Sequence, residues 1–338
     1  MKLYDLFYKP LTPLFRLKPA YTFRDGIYSP LQRSLFQGQD SEAIIYTERR
    51  REEDFFKNTS PSLPTSIKIM YVDSAAEEEH VFPITPWNHF LENIDRDLSF
   101  WKKPVQSLRS LKKKGNLLQG KSIYVHESAQ VFGASLDATD GPVVIDAEAK
   151  ISSFCHLKGP LYIGEKTQVD MAFLSNCVIG ENCRIGGEVA DSLISNYTNK
   201  HHEGFVGHSI LGSWANLGAL TTTSDLKNNY RPVKLLFQKQ EFPTGELKYG
   251  SILGDFVKTS IGTMLNTGTV IDLGVLLPPK QEQKKYYPPF SWGGYPDEFY
   301  ELQKFFRDIE TMMQRRNQVL TAFLKDELAK IYALNFRA

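Results

Sequence analysis

The chain has 338 residues, 41% of them apolar and 23% charged, with a formal net charge of +1. That length allows two domains, and the near-neutral charge gives no basis for a general attraction to nucleic acid. No apolar run approaches the roughly 18 residues of a membrane span, and prolines and charges interrupt MKLYDLFYKPLTPLFRLKP where a secretory signal would be continuously apolar, so a cytoplasmic protein is expected.

Residues 1–118 mix short apolar runs, such as IKIMYV from Ile67 to Val72, with loops rich in proline and charge. This predicts a small α/β domain. Aromatic and aliphatic residues from Pro86 to Trp101 recur at near-helical spacing, which predicts a helix leading to a linker over residues 102–120. The basic run Arg109 to Lys114 reads as solvated linker.

From Val125 to Ile271, within a β-helix expected over residues 119–279, a small aliphatic residue recurs every sixth position, in broken runs. Val125 and Val131 open the pattern, Ile145, Ile151, Leu157, Ile163 and Val169 keep it, and Ile179, Ile185, Leu211, Leu217, Leu253, Leu265 and Ile271 resume it. Six-residue spacing is the mark of a parallel β-helix in which about three hexads complete a triangular coil. The fold class is therefore mainly β, a left-handed parallel β-helix with a small N-terminal α/β domain and a C-terminal α-helix. Gly164, Gly180, Gly186, Gly212, Gly254 and Gly262 fit corners that need an unhindered backbone. Polar residues and prolines break the hexads over residues 224–249, which predicts an extended loop.

Residues 280–338 comprise a proline-rich, aromatic bridge (YYPPFSWGGYP) and an amphipathic helix of roughly forty residues starting near Asp297. Cys155, Cys177 and Cys183 lack CxxC spacing and are expected as buried thiols.

The segment from Glu188 to Tyr230 is denser in His, Asn, Lys and acids than stacking requires. His202 is its sharpest candidate, because an imidazole can take a proton from an amine or hydroxyl near neutral pH. Glu188 and Glu203 are acids able to orient it or bind a hydroxyl, and Lys200 offers a cation to a phosphate or carboxylate. On pattern alone, a solvated surface histidine is the simpler reading. His208, six residues on, is expected on the adjacent face. His201 and His202 should point to opposite sides of an extended strand, which leaves no three-ligand set, so no metal site is expected. Small residues around Gly218, Ala219 and Thr221 would leave a shallow groove for a pantetheine-like ligand, or simply satisfy the fold's corners.

The stretch NKHHEGFVGHSILGSWANLGALTTTSDLKNNY, followed by GDFVKTSIGTMLNTGTVI and then MMQRRN near the C-terminus, resembles proteins related to bifunctional N-acetylglucosamine-1-phosphate uridylyltransferase/glucosamine-1-phosphate acetyltransferase. The nearest likeness is to a sugar-nucleotidyltransferase-like branch, with Glu203 replacing an aspartate of the first motif and Leu220 the second glycine of NLGAG. Phe205 stands where that family has a tyrosine, and Asp225 and Leu226 where it has Asn-Tyr.

The resemblance implies a homotrimer that transfers an acyl group, expected from acetyl-CoA, to a sugar phosphate or nucleotide sugar. It implies His202 as general base with Glu203 beside it. Substrate contacts would fall to Glu188, Lys200, Asn216, Asp225 and Lys227, and coenzyme contacts to Gly218, Ala219, Thr221 and Lys258. The N-terminal region resembles the related nucleotidyltransferase domains at PLT and at Arg24, Asp25 and Gly26, but lacks a G-x-G-T-R loop. It reads as a reduced domain with vestiges of a nucleotide site, and magnesium is expected only if it is active. The alternatives are residual N-terminal activity and a non-catalytic trimeric scaffold.

Overall fold

In the computed structural model the six-residue spacing becomes a parallel β-solenoid with three strand-bearing faces. The structure describes residues 2–5, 12–17, 24–27, 29, 42–47, 66–71, 84–279, 284–293 and 298–336. On the first face Val125, Ile145, Ile163, Ile179, Ile194, Leu211, Leu253, Ile271 and Tyr287 stack in register, one per coil. Val131, Ile151, Val169, Ile185, Lys200, Leu217, Thr259 and Leu277 form the inner row of the second. The third carries Leu118, Leu136, Leu157, Leu174, Val189 and Val206, then Thr223 paired with Leu265. The apolar members of these rows share one core.

The sequence period breaks because the coils change length. Ile145 and Ile163 are 18 residues apart, but the next steps on that face are 16, 15 and 17 residues, so side chains stay in register while the hexads do not. Bulky residues in the left-handed backbone region make many of the corners, including Phe154, Met171, Tyr197, Trp214, Leu220 and Phe256. The glycines serve the corners mainly by leaving space and not by their φ. Among the six glycines named above only Gly262 has a positive φ, whereas Gly164, Gly180 and Gly212 are needed because the next coil leaves a Cβ no room, at 2.3–2.6 Å.

Strands β1 (Lys2–Asp5), β2 (Glu42–Thr47) and β3 (Ser66–Tyr71) form a small parallel sheet. Other N-terminal segments coat the solenoid's first face. Leu14 from helix α1 (Thr12–Phe15), Ile27, Trp87, and Phe90 and Ile94 from helix α2 (Phe90–Leu98) pack on outward residues Val144, Tyr162, Val178, Leu193 and Ile252. Polar ties fix this coat: Arg16 pairs with buried Asp272 at 2.5 and 2.6 Å, and Arg24 donates to Ile27 O, Tyr162 Oη and Glu181. Arg24 is thus an anchor of the coat, and its guanidinium is not available as a vestigial nucleotide contact.

Residues 102–120 are more than a linker. Helix α3 (Leu108–Lys113) turns Leu111 into the core and keeps Arg109, Lys112 and Lys113 in solvent, while Asn116 bonds Leu111 O, Val131 O and Ala134 N to close the solenoid's end. The excursion at 224–249 contains an antiparallel hairpin, Lys234–Phe237 against Gln240–Pro243, reversed by Gln238 and Lys239 at positive φ. Its Val233, Leu235 and Phe237 join the coat on the first face.

The expected long C-terminal helix is two, α4 (Leu302–Gln314) and α5 (Ala322–Phe336), because the backbone turns at 315–321 with Asn317 in the left-handed region. Asp297, its expected start, lies outside the described residues. Phe305, Phe306, Ile309 and Met313 of α4 close over the corner aromatics Trp214, Phe256 and Phe290. The three cysteines are buried thiols, and burial pushes Cys177 and Cys183 up to about 12. No helix among the described residues is long and apolar enough to cross a membrane.

Candidate functional site

The corner between the second and third faces is where the coils differ most from one another. Phe154 and Met171 stand there in successive coils, exposed and in the left-handed region. The next coil replaces the bulky residue with Gly186 and Gly187, and the one after with the bend from His201 to Gly204. A Cβ on Gly186 would lie 1.9 Å from His201 O, and one on Gly187 3.0 Å from the Glu203 Cα. The glycine pair therefore exists to let the histidine bend settle on it.

The bend is held from both neighbouring coils. Glu188 N donates to Gly204 O at 3.3 Å, and Leu220 N donates to Glu203 O at 2.9 Å. Because the local backbone is bent and not extended, the rings of His201 and His202 meet edge-on at 5.0 Å, correcting the expectation that they diverge. His201 turns toward the second face, with Nδ1 3.8 Å from Asp170 and no hydrogen-bond partner. The His202 side chain is exposed and makes no hydrogen bond to a described residue, and Glu203 is exposed beside it. Glu188 is exposed on the third face one coil away, paired in register with Phe205.

Lys200 corrects its expectation as a surface cation. It occupies the inner row between Ile185 and Leu217, where the repeat calls for an aliphatic residue, and is 2% exposed. Its ammonium donates to Gly186 O at 2.7 Å and to His202 O at 2.5 Å. Burial pulls its pKa down to about 8, a drop that nearby Glu203 offsets in part. Inside the solenoid it can brace the bend but cannot meet a ligand.

Several other expected contacts are engaged elsewhere. Gly218 N is spent on Thr259 O and Oγ1, and buried Thr221 shares a hydrogen bond with Thr259 Oγ1. Ala219, whose carbonyl accepts from Gly262 N, keeps its own N–H without an acceptor among the described residues. Asn216 lies on the second face and accepts from Asn199 at 2.7 Å. Lys258 is half-buried beneath Tyr300, its ammonium 5.4 Å from the ring centroid, and burial lowers its pKa. Lys227 donates to Pro232 O at the hairpin base.

Asp225 sits at the third corner, away from the His202 bend, and accepts from His208 Nδ1 at 2.8 Å. The His208 hydrogen bond lowers its pKa. His208 also faces Asp191 at 3.5 Å and meets the edge of Trp87. Sequence spacing placed His208 apart from His202 but could not reveal its partner, because Asp225 is brought to it by the coil that launches the hairpin. The structure thus gathers His202, Glu203, Glu188 and Ala219 around one corner and separates Asp225, Lys227 and Lys258 from it.

No family model matches the chain. The bifunctional protein GlmU of Methanococcus vannielii is 34% identical over 98 residues, 28% of this chain and 23% of that protein. GlmU of Synechococcus elongatus is 31% identical over 123 residues, 36% of this chain and 20% of that protein. The chain thus spans under a quarter of the length of these relatives. Among solved structures, a point mutant of AntD, an N-acyltransferase from Bacillus cereus in complex with dTDP and coenzyme A, has a TM-score of 0.21 and 18% identity, covering 56% of this chain and 85% of that one. The polysialic acid O-acetyltransferase OatWY has a TM-score of 0.23 and 12% identity, covering 52% and 83%. Likenesses of that score carry no argument about this chain. Over these 98 and 123 residues, about a third of its length, the chain is similar to GlmU.

Proposed function

We propose that the solenoid is an acyltransferase that uses an acyl-CoA, expected to be acetyl-CoA, to acylate an amine or hydroxyl of a sugar phosphate or nucleotide sugar. The observation that carries this reading is the His202 bend: an exposed imidazole, unpartnered among the described residues, on a loop braced from inside the solenoid in the coil bearing the GlmU-like motif. His202 takes the acceptor's proton as the acceptor attacks the thioester carbonyl. The N–H of Ala219, one coil on, is the donor available to the oxyanion. Collapse of the tetrahedral intermediate breaks the C–S bond, and the proton on His202 passes to the departing thiolate. Glu203 and Glu188 are placed to bind acceptor hydroxyls.

A homotrimer fits the surface. Phe154, Met171, Phe173, Leu220, Ile261 and Met264 are exposed along and beside this corner, which no described residue of the N-terminal coat or the C-terminal helices covers. An apolar strip of this kind marks an association surface, and association there would place His202 in a cleft between subunits. The proposal is tested by thiol release from acetyl-CoA with a panel of sugar phosphates and nucleotide sugars. His202→Ala should lose at least about a hundredfold in turnover while keeping its melting temperature, and unchanged turnover would overturn the role of His202. A protein that neither turns over any acceptor nor gains thermal stability with acetyl-CoA is a scaffold.

A further inference from the structure

A second site lies on another face. Between the solenoid's second face and the turn that joins α4 to α5 is a cavity of about 600 Å³. Arg184 enters from the solenoid, and Arg315 and Arg316 enter from the turn, together with the amides of Gln168, Asn199 and Asn216. We propose that this cavity binds the phosphate or diphosphate group of a ligand.

The charge balance supports it. Among the described residues no carboxylate lines the cavity, and none of the three guanidiniums is in a salt bridge. Arg184 makes one hydrogen bond, from Nη1 to Cys183 O at 3.0 Å, which leaves most of its donors unused. Asp170, whose field reaches Arg184, and the C-terminal end of α4, about half a negative charge at most, together still fall short of three cations. Arg184 and Arg316 are half-buried, and burial lowers both, with the field of Arg316 adding to the effect on Arg184. Three forked cations with amide donors between them suit the oxygens of a phosphate, because each guanidinium can donate two parallel hydrogen bonds.

The placement is built into the repeat. Gln168, Arg184, Asn199, Asn216 and Lys258 stack as an outward row in register, so the second face carries a ladder of donors without an acid. Tyr197 and Trp214, stacked at 4.2 Å, wall one side, and His201 with its unpartnered Nδ1 closes the other. His201, the first residue of the bend, lines this cavity and meets the His202 ring edge-on, and the inference holds whether or not His202 transfers an acyl group.

The test is calorimetric titration of the full-length protein with inorganic pyrophosphate. Saturable binding that weakens with salt is expected, at least tenfold weaker in Arg184→Gln and in Arg316→Gln, and unchanged in His202→Ala. Arg315→Gln, at an exposed position, provides a variant whose folding is not at risk and should also weaken binding. A sugar 1-phosphate, a nucleoside diphosphate and coenzyme A are then tested as competitors, and the one that displaces pyrophosphate identifies the ligand's source. Absence of binding, wild-type affinity in all three arginine variants, or an arginine substitution that changes only the oligomeric state would overturn the proposal. Displacement by none of the competitors would mean an adventitious ion only, and would overturn it equally.

Discussion

From inside the solenoid Lys200 holds the carbonyl of His202, 2.5 Å from its ammonium, so the exposed imidazole and the buried cation two residues away form one mechanical unit. Removing the charge should therefore separate stability from activity. Lys200→Met restores the aliphatic row, and replacing a buried charge with an apolar side chain of similar volume is often neutral or stabilising. The variant is expected to keep or raise its melting temperature while losing at least about tenfold in turnover as the bend loosens. Equal turnover in the two proteins would remove Lys200 from the positioning of His202.

The same residue predicts a pH dependence. Its native pKa of about 8 lies below the unfolded value, so the unfolded chain binds more protons between pH 8 and the ordinary lysine range. Stability should rise with pH across that window, by about 3 kcal/mol from this group, and Lys200→Met should lack that increment. Denaturant unfolding of both proteins at pH 7.5 and 10 measures the difference.

Asp225 gives the opposite sign at the acid end. Its native pKa is lowered by His208, so its contribution is present above the unfolded carboxylate value and is lost as pH falls through the native one. Asp225→Asn should flatten that part of the acid unfolding curve and loosen the hairpin base, where Tyr249 N bonds Asp225 O. Turnover in the proposed acyl transfer should change less than in His202→Ala, because Asp225 lies at another corner.

Gly186→Ala puts a methyl against the His201 carbonyl oxygen, with backbone on both sides. Overpacking of this kind costs about 1–3 kcal/mol, and the bend should shift with it. Unfolding midpoints and the NMR signals of His201 and His202 report the two effects, and wild-type values for both would refute the account of the glycine pair.

Phe154→Glu combined with Met171→Glu tests the bare corner. Both residues are exposed, so the fold should survive unchanged by circular dichroism, while light scattering should show dissociated subunits. Assembly that persists in the double variant would move the interface elsewhere.

Much of the solenoid was legible because its inner rows are aliphatic and nearly periodic. The period failed where coils shortened to 16 and 15 residues, a change that spacing cannot distinguish from a break. Lys200 was misjudged for a related reason: a lysine in an inward register position looks like a surface residue unless its place in the row is known. His202 stood out by its chemistry. The Arg184, Arg315 and Arg316 cluster did not, since 131 positions separate its two parts and only the packing of α4 brings them together. The hairpin was hidden because its turn, Gln238 and Lys239, adopts positive φ without the glycine or asparagine that usually marks such a reversal.

The chain dresses its own solenoid unevenly. N-terminal segments and the hairpin cover the first face, and α4 and α5 wrap the corner beyond it. Among the described residues the His202 bend is left uncovered, whereas the cavity that holds Arg316 is bounded by the helical turn. The two sites are thereby bordered by different elements and meet at the His201–His202 ring contact, so a ligand at one can be felt at the other.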